Sequence, residues 1–313
     1  MTSMKAVRIH SYGGPEVLAY EDAPRPVAGE GDVLIRVHAT TVNPFDCAVR
    51  AGYMGTYFNY TLPLILGSDV SGVIEAVGAG VTNFSPGDQV YARAGVWRDG
   101  ANAEFAVASV SVVAAKPQSL DHVQSAALPH VFLTAWQALV EQAKLSAGQT
   151  VLIHAAAGGV GHIAVQLALL RGAKVIGTGS VNLPLVRELG AHEAIDYSTT
   201  AFDKVVRDVD VVLDLVGGDT LQRSWAVLKP GGLLLSTVQP PSEEMATAHG
   251  VRGQMVDTSR PTAALLDEAA RLVAAGQLKP VVSKILPLQE IQQAHQLIEG
   301  RHTRGKIVLQ VVD

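Results

Sequence analysis

The segment TVLIHAAAGGVGHIAVQLALL, residues 150–170, constrains the fold of this chain more than any other. TVLIHA (150–155) reads as a short buried strand, AAGGVG as a glycine-rich loop, and the uncharged stretch after it as a helix. A strand that runs through glycines straight into a helix is half of a βαβ unit, and repeated units require a parallel sheet covered on both faces. The repeats are present. KVIGTG (174–179), EAID (193–196), DVVLDLV (210–216) and GLLLSTV (232–238) are further strand patterns. They alternate with candidate helices at 122–142, 160–171, 182–189, 219–228 and 262–275. Residues 151–170 carry no charge, as a membrane span would, but His154, His162, Gln166 and the glycine pair speak against one.

The flanks follow a different rhythm. DVLIRVHAT (32–40), DVSGVIEAVG (69–78), DQVYAR (88–93) and AEFAVAS (103–109) are short β-branched runs separated by turn formers such as AGEGD (28–32) and SPGD (85–88). That spacing suits a small barrel. PVVSKILPL (280–288), a helix at 288–299 and KIVLQVV (306–312) look like a return to it. The fold class is therefore α/β: a β-barrel domain over 1–124, completed by 265–313, and a doubly wound parallel-sheet domain over 125–264.

The formal net charge of −5 argues against a nucleic-acid or acidic-membrane partner. Cys47 is the one cysteine, which excludes an internal disulfide or a zinc site built from cysteines and fits a reducing cytoplasm. The opening MTSMKAVRIH lacks the apolar core of a signal peptide.

In the glycine loop, Ala156, Gly158 and Gly161 occupy the three positions of the G-x-G-x-x-G/A dinucleotide fingerprint, with Gly159 and Val160 between the last two. Gly158 lets a pyrophosphate approach the backbone, the amides at the start of the helix meet its charge, and Gly161 lets helix and strand pack closely. The alternative is a glycine-rich turn without ligand. An NAD site places a carboxylate at the end of the second strand, where this chain has Ser180. No Asp or Glu lies between Gly161 and Glu188, so the chief obstacle to NADPH is missing, although no Lys or Arg stands between Gly179 and Leu185 either. Val216 and Gly217, after the DVVLDLV strand, fall where a dinucleotide would cross the crevice at the sheet's carboxyl ends.

Several stretches together resemble the medium-chain dehydrogenase/reductase superfamily, in its zinc-independent NADPH:quinone oxidoreductase (zeta-crystallin-like) branch. They are MKAVRIHSYGGPEVL, VHATTVNPFDCAVRAG, LPLILGSDVSGVIEAVGAGV, FSPGDQVYA, LPHVFLTAWQAL, AAAGGVG and TRGKIVL, in the family's order and nearly end to end. The resemblance implies a GroES-like barrel domain and a Rossmann domain. Zinc-dependent relatives hold their catalytic metal at positions that here are Asn43, Ser68 and His130, a set unfit for zinc, so no metal is expected.

The resemblance also assigns roles. Asn43 of VNP and Thr134 of LTAW are expected beside the nicotinamide half of the cofactor as catalytic hydrogen-bond donors, and Tyr53 near the substrate. Tyr197 of AIDY matches a tyrosine near the adenosine phosphate, and Arg304 and Lys306 lie in a segment near the cofactor. The implied activity is hydride transfer from NADPH to a quinone or an α,β-unsaturated carbonyl acceptor, which these residues do not separate. The alternatives are an NADP(H)-bound regulatory protein with little turnover and an enoyl reductase acting on acyl chains. Relatives are commonly dimers joined through the Rossmann sheet edge, which GGLLLSTV (231–238) would supply as a homodimer contact.

Overall fold

The structure, a computed structural model, describes residues 2–55, 57–95, 98–260 and 262–311. The chain divides into two compact units: residues 1–130, 261–276 and 280–313 form one, residues 131–260 and 277–279 the other.

The first unit is built around β3 (Asp32–Thr41), whose alternating Val33, Ile35 and Val37 are fully buried. β3 pairs antiparallel with β5 (Asp69–Val77) and β7 (Phe105–Ser109), and β5 continues to β6 (Gln89–Arg93) and β8 (Val113–Ala115). On its other side β3 takes β16 (Lys306–Gln310), followed by the parallel edge strand β15 (Val282–Pro287). The carboxyl end thus closes the sheet begun by the amino end. Val312, included in the strand expected over 306–312, lies outside the described residues. A second sheet joins β1 (Ser3–Ile9), β2 (Leu18–Pro24) and β4 (Leu64–Ile65) in the order β2-β1-β4. Three helices complete the unit: α1 (Pro44–Arg50), α2 (His122–Ala126) and α10 (Ile291–Glu299). A fourth, α9 (Ala263–Ala274), is held by the Tyr91 hydroxyl, which donates to the Leu266 carbonyl at 2.5 Å.

The second unit is a six-stranded, wholly parallel sheet. Its strands are β9 (Thr150–Ile153), β10 (Lys174–Gly179), β11 (Glu193–Asp196), β12 (Val209–Asp214), β13 (Leu228–Ser236) and β14 (Arg252–Met255). Their order is β11-β10-β9-β12-β13-β14. The chain winds outward from β9 in one direction, then crosses to β12 and winds in the other, so the switch point lies between β9 and β12. Its helices are α4 (Gly159–Leu170), α5 (Leu183–Glu188), α6 (Phe202–Val205), α7 (Gly218–Ser224) and α8 (Glu243–Ala248). Leu152, Val212, Leu234 and Trp225 share one core.

Two expectations need correction. The helix read over 122–142 is two helices. α2 starts at an Asp121–Gln124 capping box, and a new helix, α3 (Pro129–Trp136), begins at Pro129, which has no N–H to continue a preceding ladder. α3 then widens into a π-helical turn, Gln137–Gln142, in which the Ala143 N–H bonds to the Ala138 carbonyl at 2.9 Å. Second, GGLLLSTV is not a sheet edge: β13 is paired on both sides, and the edge belongs to β14.

Candidate active site

In the second unit the site residues cluster at the carboxyl ends of the strands beside the switch point. β9 ends at Ile153, and Ala155 takes a left-handed backbone conformation (φ 49°) that turns the chain. The Ala156 N–H then bonds to the Thr178 carbonyl at 2.9 Å, tying the loop to β10. Gly158, in extended conformation, starts α4, and the first bond of the helix runs from the His162 N–H to the Gly158 carbonyl at 3.0 Å. The N–H groups of Gly159, Val160 and Gly161 therefore have no acceptor within the helix and point out of its amino end. A β-carbon on Gly161 would stand 2.2 Å from the Ala155 carbonyl oxygen, whereas one on Gly158 would meet that oxygen at 3.1 Å and otherwise open space. Packing therefore requires a glycine at 161 and leaves room at 158. Gly177 of β10 is a second packed position, since a β-carbon there would come within 2.8 Å of that of Ala156.

Beneath the loop, His154 is fully buried. Its Nε2 donates to Ser224 Oγ at 3.0 Å, because that hydroxyl is already donating to the Thr220 carbonyl, so Nδ1 accepts from Thr178 Oγ1 at 3.0 Å. Burial presses the imidazole down to about 4 against the pull of Asp214, so it is neutral. Across the switch point, after β12, the Asp214 carboxylate accepts from the N–H groups of Val216 (3.1 Å) and Gly217 (2.9 Å) and from the Ser236 hydroxyl (2.8 Å). That turn puts Gly217 at φ 75° and opens α7 there. At the end of β10, the Tyr197 hydroxyl, its ring half exposed, donates to Ser180 Oγ at 3.0 Å. Thr134 is buried on α3.

In the first unit Asn43 is the N-cap of α1 and is 1% exposed. Pro44 fixes the first helical turn, and Asp46 reaches back to accept from the Asn43 N–H at 2.7 Å. The Asn43 amide Nδ2 donates to Asp69 Oδ2 at 3.0 Å and stands 3.5 Å from both Ser68 Oγ and Thr41 Oγ1. Lys306, 3% exposed at the start of β16, donates to Asn43 Oδ1 at 2.5 Å and pairs with Asp69 Oδ2 at 3.2 Å. Asp69 also accepts from the Thr41 hydroxyl at 2.5 Å and from the His130 N–H at 2.7 Å.

Burial pushes the Asp69 carboxyl up, but the Lys306 ammonium and these hydrogen bonds outweigh it and hold the group ionised below the usual range. Burial pushes the Asp46 carboxyl up to about 6. Burial, with the nearby Arg93 guanidinium, presses His130 down to about 3, and Ser68 Oγ lies 3.4 Å from its Nδ1.

Asn43, Ser68 and His130, which the resemblance matches to the metal positions of zinc-dependent relatives, form a chain of contacts, Asn43 Nδ2 to Ser68 Oγ and Ser68 Oγ to His130 Nδ1. They offer an amide, a hydroxyl and one imidazole, with an ammonium against the amide oxygen, a set that does not fit zinc. Among the described residues no three His, Cys, Asp or Glu side chains could hold a metal ion. A recess of about 20 Å³, lined in part by Phe45, Asp46, Tyr60, Leu64 and Ser68, opens beside this network.

Tyr53 is 77% exposed and Arg304 is exposed. Cys47 is buried, 3.3 Å from His295 Nδ1, and its thiol is pushed by burial up to about 12. Asp46, Asp69 and Asp214 were not singled out by the sequence. A carboxylate opening the largely apolar run DVSGVI is the signal that was available for Asp69.

Comparison with known proteins agrees with both units. Residues 29–118 match the family described as alcohol dehydrogenase GroES-like domain, and residues 189–309 the family described as zinc-binding dehydrogenase. The chain is 36% identical to a mitochondrial NAD(P)H oxidoreductase of Mus musculus, over 99% of this chain and 90% of that one. It superposes on a quinone oxidoreductase from Coxiella burnetii with a TM-score of 0.94 and 36% identity, covering 99% of this chain and all of the other (100%). A mycobacterial protein solved in complex with NADPH gives a TM-score of 0.91 at 32% identity, covering 98% of this chain and 100% of that one. No helix among the described residues is long and apolar enough to cross a membrane.

Proposed function

Since the chain belongs to the medium-chain dehydrogenase/reductase superfamily, among its quinone-oxidoreductase-like members, we propose that this oxidoreductase is a zinc-independent NADPH:quinone or enone reductase. The observation that carries the reading is the amino end of α4 beside the switch point, where the amides of Gly159, Val160 and Gly161 lack helical acceptors and Gly158 leaves the approach clear. A pyrophosphate suits that place. Ser180 and Tyr197 offer hydroxyls and no carboxylate at the end of β10, which favours a 2′-phosphate over the bare ribose of NADH. Val216 and Gly217 line the loop across the switch point.

When bound, the cofactor supplies the hydride. The protein's tasks are to orient the acceptor, exclude water and stabilise negative charge developing on the acceptor oxygen. Asn43 suits the last task, because one of its amide N–H bonds makes only contacts of 3.5 Å within the protein. Thr134 is proposed as a second donor. Quinones and enones both place charge on oxygen when reduced, so one donor set serves either. Zinc independence is supported by the donor set at Asn43, Ser68 and His130. The reading extends to a cytoplasmic homodimer, supported by the single buried cysteine and by β14, which among the described residues has a neighbouring strand on one side only.

The test is oxidation of NADPH and of NADH by benzoquinone and by cyclohexenone, using enzyme treated with a chelator and checked for metal. Turnover of either acceptor with NADPH preferred supports the proposal. Cofactor binding without turnover moves the reading to a regulatory protein. Activity lost to the chelator and restored by zinc removes zinc independence.

A further inference from the structure

Lys306 is 263 residues from Asn43 in the chain, and the pairing of β16 with β3 brings them together. Burying an ammonium is expensive, with an effective penalty of several kcal/mol even after relaxation, and one carboxylate suffices to balance its charge. Asp69 is that carboxylate. Yet the ammonium lies closer to Asn43 Oδ1, at 2.5 Å, than to Asp69 Oδ2, at 3.2 Å. The two neighbours differ in what they can do. A lysine only donates and an ionised carboxylate only accepts, so an amide held between them has a single satisfying orientation, oxygen toward Lys306 and nitrogen toward Asp69. Turned over, the same amide would meet a donor with its N–H and an acceptor with its oxygen. In the orientation present, Asp69 takes one N–H at 3.0 Å, and the other faces Ser68 and Thr41 at 3.5 Å, too far for a full hydrogen bond.

We propose that Lys306 is the positioning residue of this site: with Asp69 it locks the Asn43 amide so that an N–H, and never the carbonyl oxygen, is presented to the acceptor. The assignment rests on the reading of Asn43 as a donor to the acceptor oxygen. It also separates Lys306 from the cofactor phosphates, because its ammonium is committed to Asn43 and Asp69. Reversing the amide would set a lone pair against developing negative charge, which harms the transition state more than the ground state and lowers kcat more than it raises KM.

The test uses Lys306→Met, Lys306→Arg and the double variant K306M/D69N in the full chain. Lys306→Met alone leaves Asp69 buried and unpaired and lowers the melting temperature. The double variant removes both charges and recovers it, while the amide introduced in place of the Asp69 carboxylate can face Asn43 with either of its ends. The lock is then gone although the fold is intact. The expected result is a melting temperature near wild type, kcat with benzoquinone down by about tenfold or more, KM for NADPH within about threefold, and partial recovery in Lys306→Arg. By NMR, the two Asn43 side-chain amide protons are sharp and distinct in the wild type and broadened in the double variant. A double variant that regains kcat along with its melting temperature overturns the proposal, leaving Lys306 a charge balance for Asp69. Unchanged Asn43 amide resonances overturn it too. Should the wild type reduce no acceptor, the functional reading fails, and the amide resonances still decide whether Lys306 orders Asn43.

Discussion

A β-carbon on Gly161 would stand 2.2 Å from the carbonyl oxygen of Ala155, a contact that no side-chain rotation relieves. Gly161→Ala must therefore displace the loop or the start of α4, with an expected loss of about 1–3 kcal/mol in stability and of NADPH binding. Gly158→Ala is the informative partner. Its β-carbon meets the same oxygen at 3.1 Å, which a shift of a few tenths of an ångström accommodates, and otherwise enters the open space proposed for a pyrophosphate. The melting temperature should hold while NADPH affinity falls by about tenfold or more, as fluorescence titration would show. Equal losses in both measurements for both variants would mean the loop's glycines serve packing alone.

Asp46 gives the protein a pH dependence of unusual sign. Its carboxyl is raised to about 6 in the fold, from an ordinary value near 4, so the folded state holds the proton more tightly. This contribution favours the fold at low pH and is lost as pH rises from about 4 to 6, at a cost of up to roughly 3 kcal/mol above that window. Asp46→Asn keeps an oxygen to accept the Asn43 N–H and cannot ionise. Urea unfolding of both proteins across that window should show the variant gaining on the wild type as pH rises; a constant difference would remove Asp46 as the titrating group.

His154 has the opposite sign. With its folded pKa lowered to about 4, it binds a proton in the unfolded chain first, so its contribution is complete above about pH 6.5 and declines as pH falls toward 4. His154→Phe eliminates that slope but leaves the Thr178 hydroxyl without its acceptor, and should cost about 1–3 kcal/mol at neutral pH. The crossing of the two stability–pH curves, followed by denaturant unfolding, is the signature. Parallel curves would show that the imidazole binds its proton no differently in the fold than in the unfolded chain.

How far the sequence reached follows from which interactions are local. The strand–loop–helix turn over 150–170 was legible because its parts are contiguous, and at Gly161 the requirement for a missing β-carbon is written in residue identity. The break at Pro129 was local as well, but the apolar run continuing past it obscured the new helix start. The edge was misread because β14, Arg252–Met255, is four residues with no apolar alternation, while GLLLSTV has the composition of a strand wherever it sits. The network around Asp69 could be read only as separate residues, without the bonds that join them. Its partner Lys306 lies 237 residues away, and only the return of β16 to β3 places an ammonium against that carboxylate. A buried carboxylate announces that donors or a cation must come, but not from where.

The end of β10 offers the sharpest test of cofactor choice. Ser180 follows the last strand residue, Gly179, and its hydroxyl accepts from Tyr197, so the place where an acidic residue would bind the ribose of NADH holds two hydroxyls. Ser180→Asp puts a carboxylate there, which both repels a 2′-phosphate and accepts from a free 2′-hydroxyl. The ratio of kcat/KM for NADPH to that for NADH should fall by about a hundredfold, split between a loss for one cofactor and a gain for the other. Tyr197→Phe removes only a neutral donor from an exposed pair and should shift the ratio by less than about fivefold, with kcat unchanged. If Ser180→Asp leaves the ratio where it was, the 2′ position of the cofactor does not lie against Ser180, and any preference for NADPH must come from charged groups elsewhere, with the exposed Arg304 the next to mutate.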